Sequence, residues 1–597
     1  MTRTTGPGLF QPHTLALAVA VGFVAPAQAV NFNIGEIEGQ FDSSLSVGAS
    51  WSMRSPDRDL IGPNNGGQGQ AQTGDDGRLN FKKGETFSKI FKGIHDLELK
   101  YRDTGVFVRG KYWYDFELKD ESRLFKDIDD SNRKEGAQSS GAEILDAFLY
   151  HNYAIGDLPG TVRVGKQVVS WGESTFIGNS INAINPIDVA AFRRPGAEIK
   201  EGLIPVNMLY LSQSLTDQLS MEAFYQLEWD QTIIDNCGTF FSTADVAADG
   251  CDNGYHIGSP AIAPLQPVAA AFGQGFRVDS EGVILPRAGD RDARDSGQWG
   301  LALRWLGDET EYGAYFMNYH SRTPIVSTQN AGLATLAALP GIIGTAEGIA
   351  PGSGAGLAQS VMLGNGRYYL EYPEDIRLYG MSFSTTLPTG TAWAGEVSYR
   401  PNLPLQINTT DMTLSLLNPI APGTAPVAAG PGQDNVGYRR KEVTQVQTTF
   451  THFFDQVMGA GRFTLVGEIG MAHVGGLESR EDLRYGRDSL FGAYGFRGDT
   501  HGFVTSTSWG YRVRGIWEYS NVFAGVNLKP NISWSHDVDG YGPNGLFNED
   551  SKAVSFGVDA DYRNTYTASL SYTDFFGGDY NVAVDRDFLA LSFGVSF

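Results

Sequence analysis

The closing stretch, DFLALSFGVSF, restricts the possible folds more than any other segment of the chain. Leu589, Leu591, Phe593, Val595 and Phe597 alternate with Ala590, Ser592, Gly594 and Ser596. An extended backbone sends successive side chains to opposite faces, so this strand has one wholly apolar face and one small or polar face. An apolar face ending on an aromatic suits a barrel strand with lipid outside and water inside.

The same two-faced pattern recurs. In VFVRGKYWYDFELK one side carries Val108, Gly110, Tyr112, Tyr114, Phe116 and Leu118, and the other Arg109, Lys111, Trp113, Asp115, Glu117 and Lys119. SWGYRVRGIWEYSN sets Trp509, Tyr511, Val513, Trp517 and Tyr519 against Arg512, Arg514 and Glu518, and TAWAGEVSYR sets Trp393, Val397 and Tyr399 against Glu396, Ser398 and Arg400. Aromatics gather near strand ends, as interfacial girdles require. Arg109, Lys111, Asp115, Glu117, Arg512 and Arg514 are therefore expected on the lumen wall.

Connections alternate in length. Turn residues mark short links at Asp103 to Gly105, Asp157 to Gly160, Thr216 to Gln218, Gly307 to Thr310, Pro388 to Thr391, Tyr519 to Val522 and Asn564-Thr565. Long links fall near 55–88, 120–142, 172–203, 233–295, 324–372, 404–437, 476–506, 538–550 and 577–585. Short periplasmic turns and long extracellular loops are the habit of single-chain barrels, and the spacing gives about 18 strands. The expected fold is all-β: a transmembrane antiparallel β-barrel in the bacterial outer membrane, occupying 30–597 as one domain, with one long loop folded into the lumen. Residues 1–29 read as a signal peptide, with Arg3, an apolar run from Leu15 to Val24 and the small-x-small sequence Ala27-Gln28-Ala29.

The formal net charge of −23 argues against a nucleic-acid partner, whose phosphates require clustered Lys and Arg. Cys237 and Cys251, the only cysteines, share one Gly- and Asp-rich loop and are expected to form a disulfide.

GKQVVSWGESTFIGNSINAINPIDVAAFRRPGAEIKEGLIP, from Gly165 to Pro205, is the loop expected to enter the lumen. Asn185-Pro186 is expected to start a short helix through Phe192, with Asn185 as cap. Its apolar side needs cover, which the barrel wall supplies. Asp188, Arg193, Arg194, Glu198 and Lys200 would then form a charged constriction. Three further links, starting at Ser259, Gly332 and Thr413, are rich in Leu, Ile and Ala; they pack together as a cap or form an apolar entrance.

Motifs of soluble enzymes are absent: there is no Gly-x-Ser-x-Gly, His-Glu-x-x-His or phosphate-binding loop. His320 and Arg322, in NYHSR, are expected on the lumen wall; His320 is the residue to test for a barrel hydrolase. Asp75-Asp76 reads as a solvated turn rather than a calcium ligand. No metal or cofactor is expected.

The Gly165 run extended through VNML, together with the leader, NYHSRTPIVS, EVSYRPNLPLQIN and the last strand, resembles the proteobacterial outer-membrane family labelled domain of unknown function thirteen hundred and two, over nearly the whole chain past the leader. That resemblance implies a barrel encoded beside a periplasmic accessory protein and an inner-membrane exporter of the resistance-nodulation-division type, in settings of hydrophobic-compound metabolism or export. The functional expectation is a channel or transport component for small hydrophobic or amphipathic molecules and not an enzyme. A docking or adhesion component and a barrel-embedded lipid or ester hydrolase stand as alternatives.

Overall fold

A computed structural model describes residues 30–492 and 499–597; the expected leader, 1–29, lies outside them. Eighteen antiparallel strands form one closed sheet, each paired with its sequence neighbours. Closure is made by Ile37–Ser52 and Phe588–Ser596, in register from Ser44 against Ser596 to Ser52 against Phe588. A short strand, Val30–Ile34, folds back on Ile37 to Phe41 beside that seam.

Long and short links alternate as expected. One turn lies elsewhere: Thr507–Phe523 continues through Tyr519 to Val522, and the chain reverses at Ala524-Gly525, both with positive φ (49° and 87°). Polar Ser520 and Asn521 read as a turn, but a strand that projects past the membrane tolerates polar residues on both faces.

Alternation holds on the outer face. Phe593 is 52% exposed, and Ile469, Phe556, Val558 and Leu570 are exposed with it, giving the apolar belt that lipid requires. Near the short turns Phe463 stacks on Trp517 (4.5 Å between ring centroids) and Trp393 on Phe450 (5.9 Å), forming the interfacial ring. No helix among the described residues is long and apolar enough to cross a membrane; strands make the crossing. A closed antiparallel barrel with this belt is an outer-membrane structure. The protein resides in the bacterial outer membrane.

Inside, alternation between oil and water fails over the five neighbouring strands from Val206–Ser214 to Ile376–Thr386. Met208, Tyr210, Phe224, Tyr315, Met317, Tyr319, Ile376 and Leu378 point inward and are buried together with Trp171, Ile181 and Ile184 of the long inner loop. At the long-loop end the three apolar links converge into a cap. Leu339, Ile342 and Ala346 of helix Leu333–Ile349 pack with Leu357, Val361 and Met362 of helix Gly354–Asn365, and with Leu265, Val268 and Leu416. These segments cover one another rather than lining an open mouth. Cys237 and Cys251 are disulfide-bonded within the same cap.

Candidate functional site

Segment 168–205 joins strands Leu158–Gln167 and Val206–Ser214 and crosses the lumen from one wall to the other. Its first lobe buries Trp171 and Ile181 against the apolar inner wall, while Trp171 Nε1 donates to Glu222 at 2.7 Å. The lobe has little regular structure, so its backbone N–H groups need other acceptors. Two buried glutamates supply them, Glu396 on the strand next to the apolar wall and Glu468 two strands further round the barrel. Glu468 accepts from Thr175 (3.0 Å), Phe176 (2.6 Å) and Ile177 (2.7 Å), and Glu396 accepts from Glu173 and from Ile181 (3.3 Å). The loop's carbonyls meet donors on the same side: Gln445 reaches Gly178 O at 2.9 Å and Arg400 reaches Asn179 O at 2.6 Å.

The second lobe contains two single-turn helices, Val189–Arg193 and Ile199–Gly202. Asp188, not Asn185, caps the first by accepting from Ala191 N–H at 2.9 Å. Asn185 instead pairs with the Val169 backbone at the base of the loop, donating to its carbonyl at 2.6 Å. Glu198 and Glu201 form a capping box on the second helix. Loop acids meet wall lysines: Asp188 with Lys111 at 3.0 Å and Glu201 with Lys92 at 2.6 Å, all four buried. A Cβ on Gly48 would approach Pro195 Cβ to 2.6 Å, and one on Gly196 would approach Ser592 Oγ to 2.8 Å, so small residues on both surfaces allow this seat.

What remains of the bore is displaced to one side. Along Thr507–Phe523, Val526–Asp539, Lys552–Tyr562 and Tyr566–Phe576 the inward positions are small or polar and partly accessible, among them Asn531, Ser555, Asp559, Ser571 and Thr573. Two chambers flank the loop. One, of about 650 Å³, opens at the short-turn end and is lined by Asp42, Asp96, Glu198, Lys200, Arg563 and Phe597. The other, of about 530 Å³, lies beneath the cap and is lined by Val246, Tyr255, Ile325, Val504, Tyr541 and Arg487 among others. Phe547 of its wall packs against Ile177 of the loop.

The expected site residues divide accordingly. Glu198 and Lys200 face the short-turn chamber and pair with each other at 3.2 Å. Arg109 lies beside that chamber, bonding Asp96 at 2.7 and 2.8 Å and Asp146 at 3.3 Å. Arg512 pairs with Asp537 at 2.6 Å, and Arg514 stays on the accessible wall. The others are taken up in structure. Asp188 and Lys111 neutralise each other. Asp115 caps helix Phe116–Asp120, and Glu117 holds Arg123 at 2.8 Å. Arg193 pairs with Asp235 at 2.8 Å and lies over Phe241, and Arg194 lies over Trp113 and donates to Gly136 O at 2.8 Å. Burial pushes the Asp235 carboxyl up, and Arg193 opposes that shift.

His320 is fully buried in the root of its loop, where Nε2 donates to Ser296 O (2.9 Å) and Nδ1 accepts from Asp375 N–H (3.0 Å). Both ring nitrogens are thus occupied by backbone. Arg322 is buried too, donating to Asp230 O (3.0 Å) and Ile184 O (3.2 Å). Neither lies on an open wall. Alternation marks Glu396 and Arg400 as inward, but Glu468, Lys92, Glu201 and Trp171 went unread as anchors. A lone inward glutamate in VGEIGM was the available signal for Glu468.

A family model described as a protein of unknown function (DUF1302) matches residues 11–597. The chain belongs to that family. No curated protein matches this DUF1302 member. Among solved structures, Acinetobacter baumannii OccAB1 is similar at 9% identity, with 96% of this chain and 98% of that chain covered and a TM-score of 0.40. A BenF-like porin from Pseudomonas fluorescens Pf-5 is similar at 8% identity, covering 94% and 98%, with a TM-score of 0.40. Pseudomonas aeruginosa OccD3 gives 9% identity, 96% and 93% coverage and a TM-score of 0.37. The strand register above, independent of these likenesses, carries the barrel assignment for this DUF1302 chain.

Proposed function

We propose that this protein is an outer-membrane channel for small amphipathic molecules, narrowed by its own inner loop. The observation that carries the reading is the placement of 168–205: it is tied to strands on two sides of the barrel, covers the apolar stretch of the inner wall and leaves the small and polar inward positions uncovered, with a chamber toward each end. A solute with an apolar part has Val246, Tyr255, Ile325 and Val504 to contact in the chamber under the cap. It then meets serine, threonine and paired charges, which hold water and favour a polar end. The periplasmic accessory protein and exporter implied by the family resemblance would engage the short-turn end, where the larger chamber opens.

Swelling of proteoliposomes in graded solutes tests this. Small amphipathic acids, amines and alcohols are expected to enter, with a sharp loss of flux as cross-section grows. Folded protein that admits none of them would overturn the proposal.

A further inference from the structure

A second set of groups, in the extracellular cap and outside the solute path, has no part in narrowing the bore. Asp75 and Asp76 come from the loop 53–85 and Asp245 from the loop 227–298, and one carboxylate oxygen from each lies within 4.8 Å of the other two. The expected solvated turn is in fact enclosed: Asp75, Asp76 and Asp245 are 0%, 6% and 1% exposed.

Asp75 Oδ2 accepts from Gly62 N–H (2.8 Å) and Asn65 Nδ2 (3.0 Å), and Asp245 Oδ2 accepts from Asp76 N–H (3.1 Å). The other oxygen of each, Asp75 Oδ1 and Asp245 Oδ1, is buried and accepts no hydrogen bond. Asp76 holds Lys126 Nζ at 3.0 and 3.1 Å, and that ammonium also reaches Glu281 at 2.8 Å. Glu281 in turn faces His256 at 3.2 Å. Arg78, on the same short helix as Asp76, is committed to Asp585 (3.2 Å) and Gly74 O (2.7 Å). Lys126 is the cation in hydrogen-bond contact with the trio and with Glu281; Arg586, buried over Phe240 and paired with Asp585, lies within Coulombic reach of Asp245.

We propose that Asp75, Asp76 and Asp245 form a divalent-cation site, each contributing carboxylate oxygen to a hard cation of the calcium type. Two buried, unpartnered anionic oxygens are costly to retain in a folded protein unless a cation completes them. An all-oxygen donor set selects calcium or magnesium over thiophilic metals. Waters and loop carbonyls supply the remaining positions that calcium takes, and Lys126 keeps Glu281 as its partner. The cation ties 53–85 to 227–298 beside Thr73, Thr243 and Ala244, which line the chamber under the cap. It thereby fixes the roof of that chamber, whatever solute passes.

The test is equilibrium dialysis of the full chain in detergent, stripped with chelator, against radioactive calcium ions, alongside melting in calcium, magnesium and sodium at equal ionic strength. The expected result is one saturable calcium per chain at submillimolar concentration and a higher melting temperature in calcium. Asp75→Asn and Asp245→Asn should each weaken binding by about tenfold or more, while Asp308→Asn, in a short turn at the other end, leaves it unchanged. Heat-modifiable gel mobility reports that each variant is a folded barrel. No saturable calcium on the folded wild-type chain, or unchanged affinity in folded Asp75→Asn and Asp245→Asn, would overturn the proposal.

Discussion

Lys111 Nζ lies 3.0 Å from the Asp188 carboxylate, joining a wall strand to the inner loop where both side chains are buried. Glu143 approaches the same ammonium at 3.2 Å, and Glu201 O accepts from it at 3.1 Å. Breaking a buried pair costs about 3 kcal/mol or more when the charge is left alone; Glu143 still faces Lys111, so the loss here is smaller. Asp188→Asn is expected to lower unfolding stability by about 1–3 kcal/mol and to hasten trypsin cleavage after Arg193. Lys111→Met in the same chain should recover part of the loss, since a buried ammonium left with Glu143 as its one ion partner is gone. Denaturant melts of the single and double variants measure both effects.

Trp171 is the largest side chain of the inner apolar cluster. Replacing it with alanine removes contacts with Phe224 and Tyr315 and takes from Glu222 the Nε1 donor at 2.7 Å, leaving it Tyr210 and Arg304. The expected cost is about 3–5 kcal/mol, read in denaturant melts, with faster proteolysis of 168–185. Unchanged melting would mean that the first lobe does not pack on the wall.

His320→Ala is expected to destabilise the loop 320–375 by about 1–3 kcal/mol, because Ser296 O and Asp375 N–H lose their partner. Channel conductance should not change. Ester turnover that is present in the wild-type protein and vanishes in this variant would favour a hydrolase instead.

The acidic trio predicts a pH dependence in chelator. Burial pushes the Asp76 carboxyl up to about 6, with Lys126 opposing the shift, and burial, with Asp76 beside it, raises the Asp245 carboxyl well above its ordinary value. Raised carboxyls bind protons more tightly in the folded chain than in the unfolded one, so ionisation costs stability. Cap stability is therefore greatest below the ordinary carboxylate range and falls as pH rises through about 6. Hydrogen exchange of 53–85 and 227–298 across that window reports it, and calcium should flatten the fall.

The wall was legible because period-two alternation is local: Trp509, Tyr511 and Val513 against Arg512 and Arg514 can be read without knowing any partner. Strand number followed from turn chemistry such as Asn564-Thr565. The lumen was less legible, for a physical reason. Met208 and Tyr210 alternate with Leu209 and Leu211, so both faces of that strand are apolar, and only Trp171 and Ile181, folded across the bore, give the inner face its cover. Charges behaved similarly. Lys111 and Asp188 each read as free lumen charges because pairing across 77 positions leaves no local trace. Asp245 sits 169 positions from Asp76 and escaped notice for the same reason.

Single-channel conductance in planar bilayers tests the bridging loop most directly, comparing the wild-type protein with a Glu396→Ala, Glu468→Ala double variant that removes its two carboxylate acceptors. A loop that crosses and narrows the bore predicts a small wild-type conductance and a larger one, by about twofold or more, in the folded double variant. Equal conductance in the two, or none in either, would contradict the account.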